Sequence, residues 1–344
     1  MDVYFSTVVR QGPIAQGGEL VSLDWATKKI KGKTTLSPTD PLITEKDDAN
    51  PRGNSRGGRG IVKINDTIYV ATYHSLLLFD PSLTPKGKIS NNLFVGLHEI
   101  FHHDDVIWLT STAIDCVIGI DTQGNFVKSW WARENPTLLK HFSLTPFKID
   151  KTTDNRLLWL KVLPARQPSH THLNAVAVHN DELYVLFNRF GAVYNTTTNR
   201  LVLEDPSIKG CHNLVFFEDK IIINDTQGKR VMVYAQNGTL IKALSLLDFP
   251  EINAIYKLAN KSSKAKSSSF FKGINFFSRF LNMEHEIKSP LFLRGLCPAG
   301  QSRILVGFSP ATIAEIDIEK GRLLDLFPYS QDIAVCVHGL LTCS

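Results

Sequence analysis

One pattern recurs along this chain, and it leaves few folds open. Arg59 to Val70 (RGIVKINDTIYV) aligns without a gap on His98 to Leu109 (HEIFHHDDVIWL), and Asn174 to Val185 (NAVAVHNDELYV) does so on His212 to Ile223 (HNLVFFEDKIII). A fifth copy opens at Arg294-Gly295-Leu296 and needs one inserted residue to reach Ile304-Leu305-Val306-Gly307. Each copy reads as a strand, a tight Asn/Asp turn and a second strand. A third apolar run follows and ends on a small polar residue, as in Leu76 to Asp80, Cys116 to Asp121, Ala192 to Asn195 and Thr312 to Asp317. The fourth comes after a turn such as Thr122-Gln123-Gly124-Asn125 or Gln236-Asn237-Gly238-Thr239. Four antiparallel strands repeating every ~40 residues is the blade of an all-β propeller.

A sixth copy is divided between the ends of the sequence. Val335 to Leu341 reads as an innermost strand with nothing after it, whereas Asp2 to Thr7 and Glu19 to Asp24 read as second and third strands lacking a first. Joined, they complete a blade and remove two exposed sheet edges. The expectation is a six-bladed β-propeller filling residues 1–344 as one domain, closed by its terminal strands. Two repeat intervals, Phe126 to Thr171 and Leu246 to Phe292, are about twice the usual length and would fit an eight-bladed ring. Neither shows a fresh four-strand pattern. The first carries Pro136, Pro146, Pro164 and Pro168 with a candidate strand at Leu157 to Leu160, and the second carries a Ser/Lys tract followed by an aromatic stretch. They are read as insertions, giving three long inter-blade links at 38–58, 131–171 and 248–291, all on the face where the innermost strands begin. Long loops on a rigid ring are more often functional than decorative.

That geometry singles out the residue opening each innermost strand. Taken around the ring these are His338, Arg59, His98, Asn174, His212 and Arg294, so histidine alternates with Arg, Asn and Arg. Three imidazoles on alternate blades could converge on the axis and hold one divalent transition metal, or serve as acid–base groups. Arg59 and Arg294 between them suit a carboxylate or phosphate, although two guanidiniums also repel a cation. A polar anion pocket without metal, and a merely solvated channel, are the competing readings. Tyr73, Asp115, Arg189 and His172 lie in loops on the same face. Asp115 is the best carboxylate for a base or nucleophile, while Asp225 is read as closing a turn with Gly228. His170 and His172 form a His-x-His, and His102 and His103 fall at the opposite, bottom turn.

Net charge is +5, but Lys and Arg are interleaved with Asp and Glu, and no basic helix or aromatic-basic motif marks a nucleic-acid partner. Gly-rich Arg52 to Arg59 lacks phosphate-loop spacing. No signal peptide or membrane-length apolar run is evident, and five scattered cysteines fit a reducing, cytoplasmic setting. Phe270 to Leu281 has apolar residues at helical spacing. It reads as a lid on the ring, with contact of 264–281 with a membrane surface as the lesser alternative.

The repeated pattern resembles NHL-like and SMP-30-like six-bladed propellers. His172 to Val178, His212-Asn213-Leu214 and Leu293 to Leu296 with Val306 to Ser309 look closest to an uncharacterised bacterial propeller group. The resemblance implies the fold over about two-thirds of the chain and no settled reaction. SMP-30-type lactonases hold a divalent cation with Glu, Asn and Asp, and His and Arg stand at the corresponding positions here. The functional expectation is an enzyme acting on a small anionic metabolite at the loop-rich mouth, by hydrolysis, elimination or cyclisation. His98, His212, His338 and Asp115 would carry the chemistry. Arg59, Asn174, Arg294, Arg189, His172 and Tyr73 would bind substrate. The alternative is a non-catalytic propeller that binds a protein or peptide across the same face.

Overall fold

The computed structural model describes residues 1–10, 12, 17–36, 56–158, 169–271 and 289–343, without the side chains of 56, 157 and 262–271. Six antiparallel sheets of four principal strands form the blades of a six-bladed β-propeller. Blade 1 is assembled from both ends of the sequence: Val335–Cys343 is innermost, followed by Asp2–Val9, Gly18–Asp24 and Lys29–Leu36. The innermost strands of blades 2 to 6 are Ile61–Ile64, Leu97–His103, Leu173–His179, His212–Phe217 and Gly295–Pro298. Within each blade the chain then runs outward strand by strand, as the repeat requires.

The closing pair is long and in register from Asp2 opposite Cys343 to Val9 opposite Val335. Ser6, fully buried, fastens it: its hydroxyl donates to Arg59 O at 2.7 Å and accepts from Gly339 N at 3.0 Å. One side chain thereby ties both strands of the closure to the opening of blade 2. Close approach is why glycine stands at 339, since a Cβ there would lie 2.0 Å from Arg59 O. The last two residues of Asp2–Val9 also pair with a two-residue strand, Arg56–Gly57, which the repeat pattern did not announce.

Blades pack face to face through apolar side chains from alternate strand positions. Phe5, Val21, Leu23, Leu305, Ile313 and Val337 share the cluster between blades 6 and 1. Near the axis, side chains following a second strand reach the next blade's innermost backbone. Thr112 Oγ1 donates to Leu173 O at 2.7 Å, Asn188 Nδ2 to Cys211 O at 2.8 Å and Thr226 Oγ1 to Leu293 O at 2.8 Å.

The inter-blade links contain the helices. Asn155–Leu158 is a helical turn, so the strand expected at Leu157 to Leu160 does not form over its described part. Two Asn92 side-chain bonds, to Lys151 O and Thr153 O, lash that link to the one between blades 2 and 3. Pro250–Phe271 is a 22-residue helix whose start is anchored by Phe249 and Ile252 in the cluster between blades 5 and 6. Proline at its first position is compatible with helix initiation. Most of the 38–58 link, the Gly-rich segment 52–55 and the aromatic stretch from 272 to 281 lie outside the described residues. Among the described residues no helix is long and apolar enough to cross a membrane.

Phe5 is fully buried and meets Tyr329 edge-on at 5.1 Å. Phe5→Ala is expected to cost about 3–5 kcal/mol of unfolding free energy, whereas Phe126→Ala, at a 52% exposed site, should change it by less than about 0.5 kcal/mol. Denaturant unfolding of the two variants checks this, and equal effects would mean the closure is not packed as described.

Candidate functional site

The innermost strands of blades 1, 3, 4 and 5 open on a β-bulge, a local irregularity able to re-aim a side chain. His98 and Glu99 together oppose Thr110, because Leu97 pairs with Ser111 and Ile100 with Leu109. Asn174 is the extra residue between the pairs Leu173–Phe187 and Ala175–Leu186. His338 and Gly339 likewise oppose Ser6, and Asn213 and Leu214 oppose Ile223. In blade 2, Arg59 N donates to Ala71 O while Ala71 N donates to Gly60 O; in blade 6, Arg294 N donates to Gly307 O. Four bulges and the backbone bonds at the other two openings together set a ring of polar side chains at the channel.

At its centre the three histidines meet. The His98 ring stacks on His212 at 5.3 Å between centroids and meets His338 at 4.6 Å. Arg294 comes from the blade opposite His98 and crosses the channel, its Nη1 donating to His98 Nε2 at 2.8 Å. Its guanidinium also stacks on Phe292 at 4.3 Å, and Arg10 covers Phe292 as well, at 4.4 Å. Arg59 donates to Leu97 O and lies over the Tyr73 ring at 5.2 Å.

These contacts fix protons. A guanidinium only donates, so His98 Nε2 carries a lone pair and its proton sits on Nδ1. Thr226 commits its one hydroxyl proton to Leu293 O, so at 2.8 Å it accepts from His212 Nδ1. His212 Nε2 is thereby left as a buried lone pair without a partner among the described residues. Asn174 spends its amide nitrogen on Cys211 O at 3.3 Å, leaving Oδ1 buried and unpartnered.

Sequence reasoning missed Glu99. Its Oε1 accepts from Asn213 Nδ2 at 3.0 Å and lies 3.9 Å from His98 Nδ1 and 3.8 Å from His338 Nδ1. Asn224 in turn donates to Asn213 Oδ1 at 2.9 Å and to Gly295 O at 2.9 Å, which orients both amides. The signal was present: at the position after the polar opening, blades 1, 2 and 6 carry Gly339, Gly60 and Gly295, whereas blade 3 carries a carboxylate.

Burial holds His98, His212 and His338 well below the usual imidazole range, and the Arg294 charge adds to this at all three. His172, in the channel mouth, is pushed down to about 3 by desolvation, then by His170 and Arg294. Arg294 itself is lowered to about 9, chiefly by burial, and burial raises the Glu99 carboxyl well above the ordinary value. The centre is thus three neutral imidazoles around one guanidinium.

The three histidines expected to hold a metal are not drawn together as ligands in this arrangement. Three imidazoles on one metal bring their ligating nitrogens to roughly 3–3.5 Å of one another. Among the described residues, only His103, Asp104 and Asp181 bring their candidate ligand atoms within 4.8 Å of one another, and His98, His212 and His338 do not. His103 belongs to the bottom turns, where its Nε2 meets Asp181 Oδ1 at 2.9 Å in an exposed pair. Where a metal was anticipated, Arg294 stands.

Asp115 also has a different duty from the catalytic one expected of it. Buried and in the left-handed conformation, it accepts from Thr171 N and Thr171 Oγ1, both at 2.8 Å, and faces His170 Nε2 at 3.5 Å. His170 Nδ1 accepts from His172 N at 2.9 Å, so the His-x-His is a turn held by its own backbone. Asp115 therefore clamps the link entering blade 4 and sets the position of His172. Arg189 supports the same link by donating to His170 O at 3.2 Å. Asp225 closes its turn on Gly228 N at 2.9 Å, as the sequence indicated, and pairs with Arg230.

No family model matches the chain, and no curated protein does. Among solved structures, a protein of unknown function from Bacteroides caccae aligns with TM-score 0.56 at 7% identity, over 98% of each chain. A chain from the nidogen/laminin complex aligns with TM-score 0.54 at 10% identity, over 98% of this chain and 97% of that one. A weaker likeness, TM-score 0.44 at 9% identity over 78% of this chain and 69% of the other, is to virginiamycin B lyase from Staphylococcus aureus. At these identities the likeness is one of the six-bladed fold alone.

The neutral histidines carry a pH signature. Below about pH 6.5 the unfolded chain protonates imidazoles that the folded chain keeps neutral, so stability falls as pH drops. Glu99 acts oppositely, since the folded state keeps its proton where the unfolded state releases it, but it is one group against three. Urea unfolding between pH 7 and 5 should show stability declining, each buried imidazole adding up to about 1.4 kcal/mol per pH unit. His212→Gln should reduce that slope. An unchanged slope would mean His212 is protonated in the fold.

Proposed function

We propose that the chain is an enzyme that binds a small anionic metabolite at the loop-rich mouth of the channel and transfers a proton with an imidazole. The observation that carries this reading is the His212 Nε2 lone pair. It is held in one tautomer by the Thr226–Leu293 relay, is buried, and lies in a site governed by the Arg294 charge. A neutral imidazole with a fixed lone pair is the state a general base requires. Arg294 and Arg59 supply the attraction for the anion, which competes well against the neutral His98 for a guanidinium because a charge-assisted bidentate pair is stronger.

The mouth also fits a small ligand better than a protein surface. The imidazoles close the axis by touching, and among the exposed large apolar side chains Phe126, Val127, Leu240 and Ile241 lie on outermost strands, while Leu158 and Leu258 stand singly on two inter-blade helices. Aromatic groups at the centre are covered by guanidiniums instead.

Calorimetric titration with inorganic phosphate, succinate and tartrate at low ionic strength tests the site. At least one should bind saturably and weaken with added salt, and Arg294→Met should weaken it about 10- to 100-fold. Failure of all three anions to bind, or binding indifferent to Arg294→Met, would remove this reading.

A further inference from the structure

The hydrogen-bonding inventory of the channel centre says more about the ligand than its charge. With the proposed function as its premise, the question is what replaces Arg294 once an anion draws its guanidinium away from His98. Three buried atoms at the strand openings then carry lone pairs with no donor among the described residues: His98 Nε2, His212 Nε2 and Asn174 Oδ1. His212 and Asn174 are fixed in that role by a bond on their other side, and His98 by Arg294 itself. Arg294 can only donate to His98, Thr226 receives the His212 Nδ1 proton, and Cys211 O receives the Asn174 amide.

A ligand that offers only acceptors leaves these atoms unsatisfied. Simple dicarboxylates are of that kind at neutral pH, whereas hydrogen phosphate offers a single hydroxyl. Leaving a buried acceptor unpaired forfeits binding at each atom. The missing donors could sit on an ammonium or on hydroxyls. The surroundings decide against the ammonium: Arg294, Arg59 and Arg189 all contribute positive charge here, and Glu99, the acidic group beside the histidines, is held toward its neutral form by burial.

We infer that the substrate is a polyhydroxylated carboxylate, whose anionic end engages Arg294 and Arg59 while neutral hydroxyls donate to His98 Nε2, His212 Nε2 and Asn174 Oδ1. The juxtaposition of a guanidinium with buried lone pairs on His98, His212 and Asn174 is what selects this class. It also explains why the centre is stable in its present form: Arg294 supplies a donor to the site until the ligand brings its own.

Succinate, malate and tartrate form a matched series on four carbons with no, one and two hydroxyls. In the intact chain, calorimetry should give affinity rising along the series, with tartrate at least about tenfold tighter than succinate. His212→Phe removes one acceptor and should bring that ratio to within about threefold. A second measurement does not depend on that variant folding. With 15N-labelled histidine, tartrate should shift the non-protonated Nε2 resonance of His212, and succinate should leave it in place. Equal affinities across the series, or an unmoved His212 signal at saturating tartrate, would overturn the hydroxylated class and mean that water satisfies these acceptors, while leaving an anion site standing. Absence of binding by all three acids together with phosphate would overturn the anion site, and this inference with it.

Discussion

Pairing of Val335–Cys343 with Asp2–Val9 is the interaction on which the rest of this structure depends. It turns an arc of sheets into a ring, and only in a ring do six strand openings face one another. Its strength comes from two sources of different kind. The main-chain ladder satisfies backbone groups that would otherwise form two exposed edges, and the side chains flanking it, Phe5 and Val337 among them, fill the gap against blade 6. The Ser6 hydroxyl then sets the register at the axis itself, where a slip of one residue would turn His338 away from the centre.

The channel centre is an electrostatic compromise. Burial keeps the imidazoles neutral, and that neutrality lets an arginine cross among them. Arg294 gains one good bond to His98 and an aromatic face in Phe292, which offset part of the cost of removing it from water. Glu99 lies beyond the histidines, oriented by a file of two asparagine amides, and stays near its proton. The site thus pairs a buried guanidinium on one side of the histidines with an acidic group held toward its neutral form.

Periodicity made the architecture legible. Aligned copies gave the blade, and the orphaned strands at the two ends gave the closure, because both are matters of pattern and strand count. Convergence of His98, His212 and His338 followed from the same count. What periodicity could not convey was how far each side chain reaches. Arg294 is long enough to cross to the opposite blade, so it occupies the place that the spacing of the histidines had reserved for a metal. Asp115 was singled out by its loop, yet its partners Thr171 and His170 lie over fifty residues away and only the fold brings them to it. Glu99 went unread because a strand ordinarily sends neighbouring side chains to opposite faces, and the bulge at His98 and Glu99 suspends that rule. The helix beginning at Pro250 lies where no blade repeat operates, so periodicity had nothing to say of it.

The split blade has a consequence for assembly in time. His338 belongs to the innermost strand that the chain produces after all the others, so five blades can exist before any complete centre does. Until that strand docks, Arg294 and His98 belong to an open arc whose two ends are free to part. A nascent or partly unravelled molecule is therefore chemically blank, and whatever this ring binds, it binds only as a finished object.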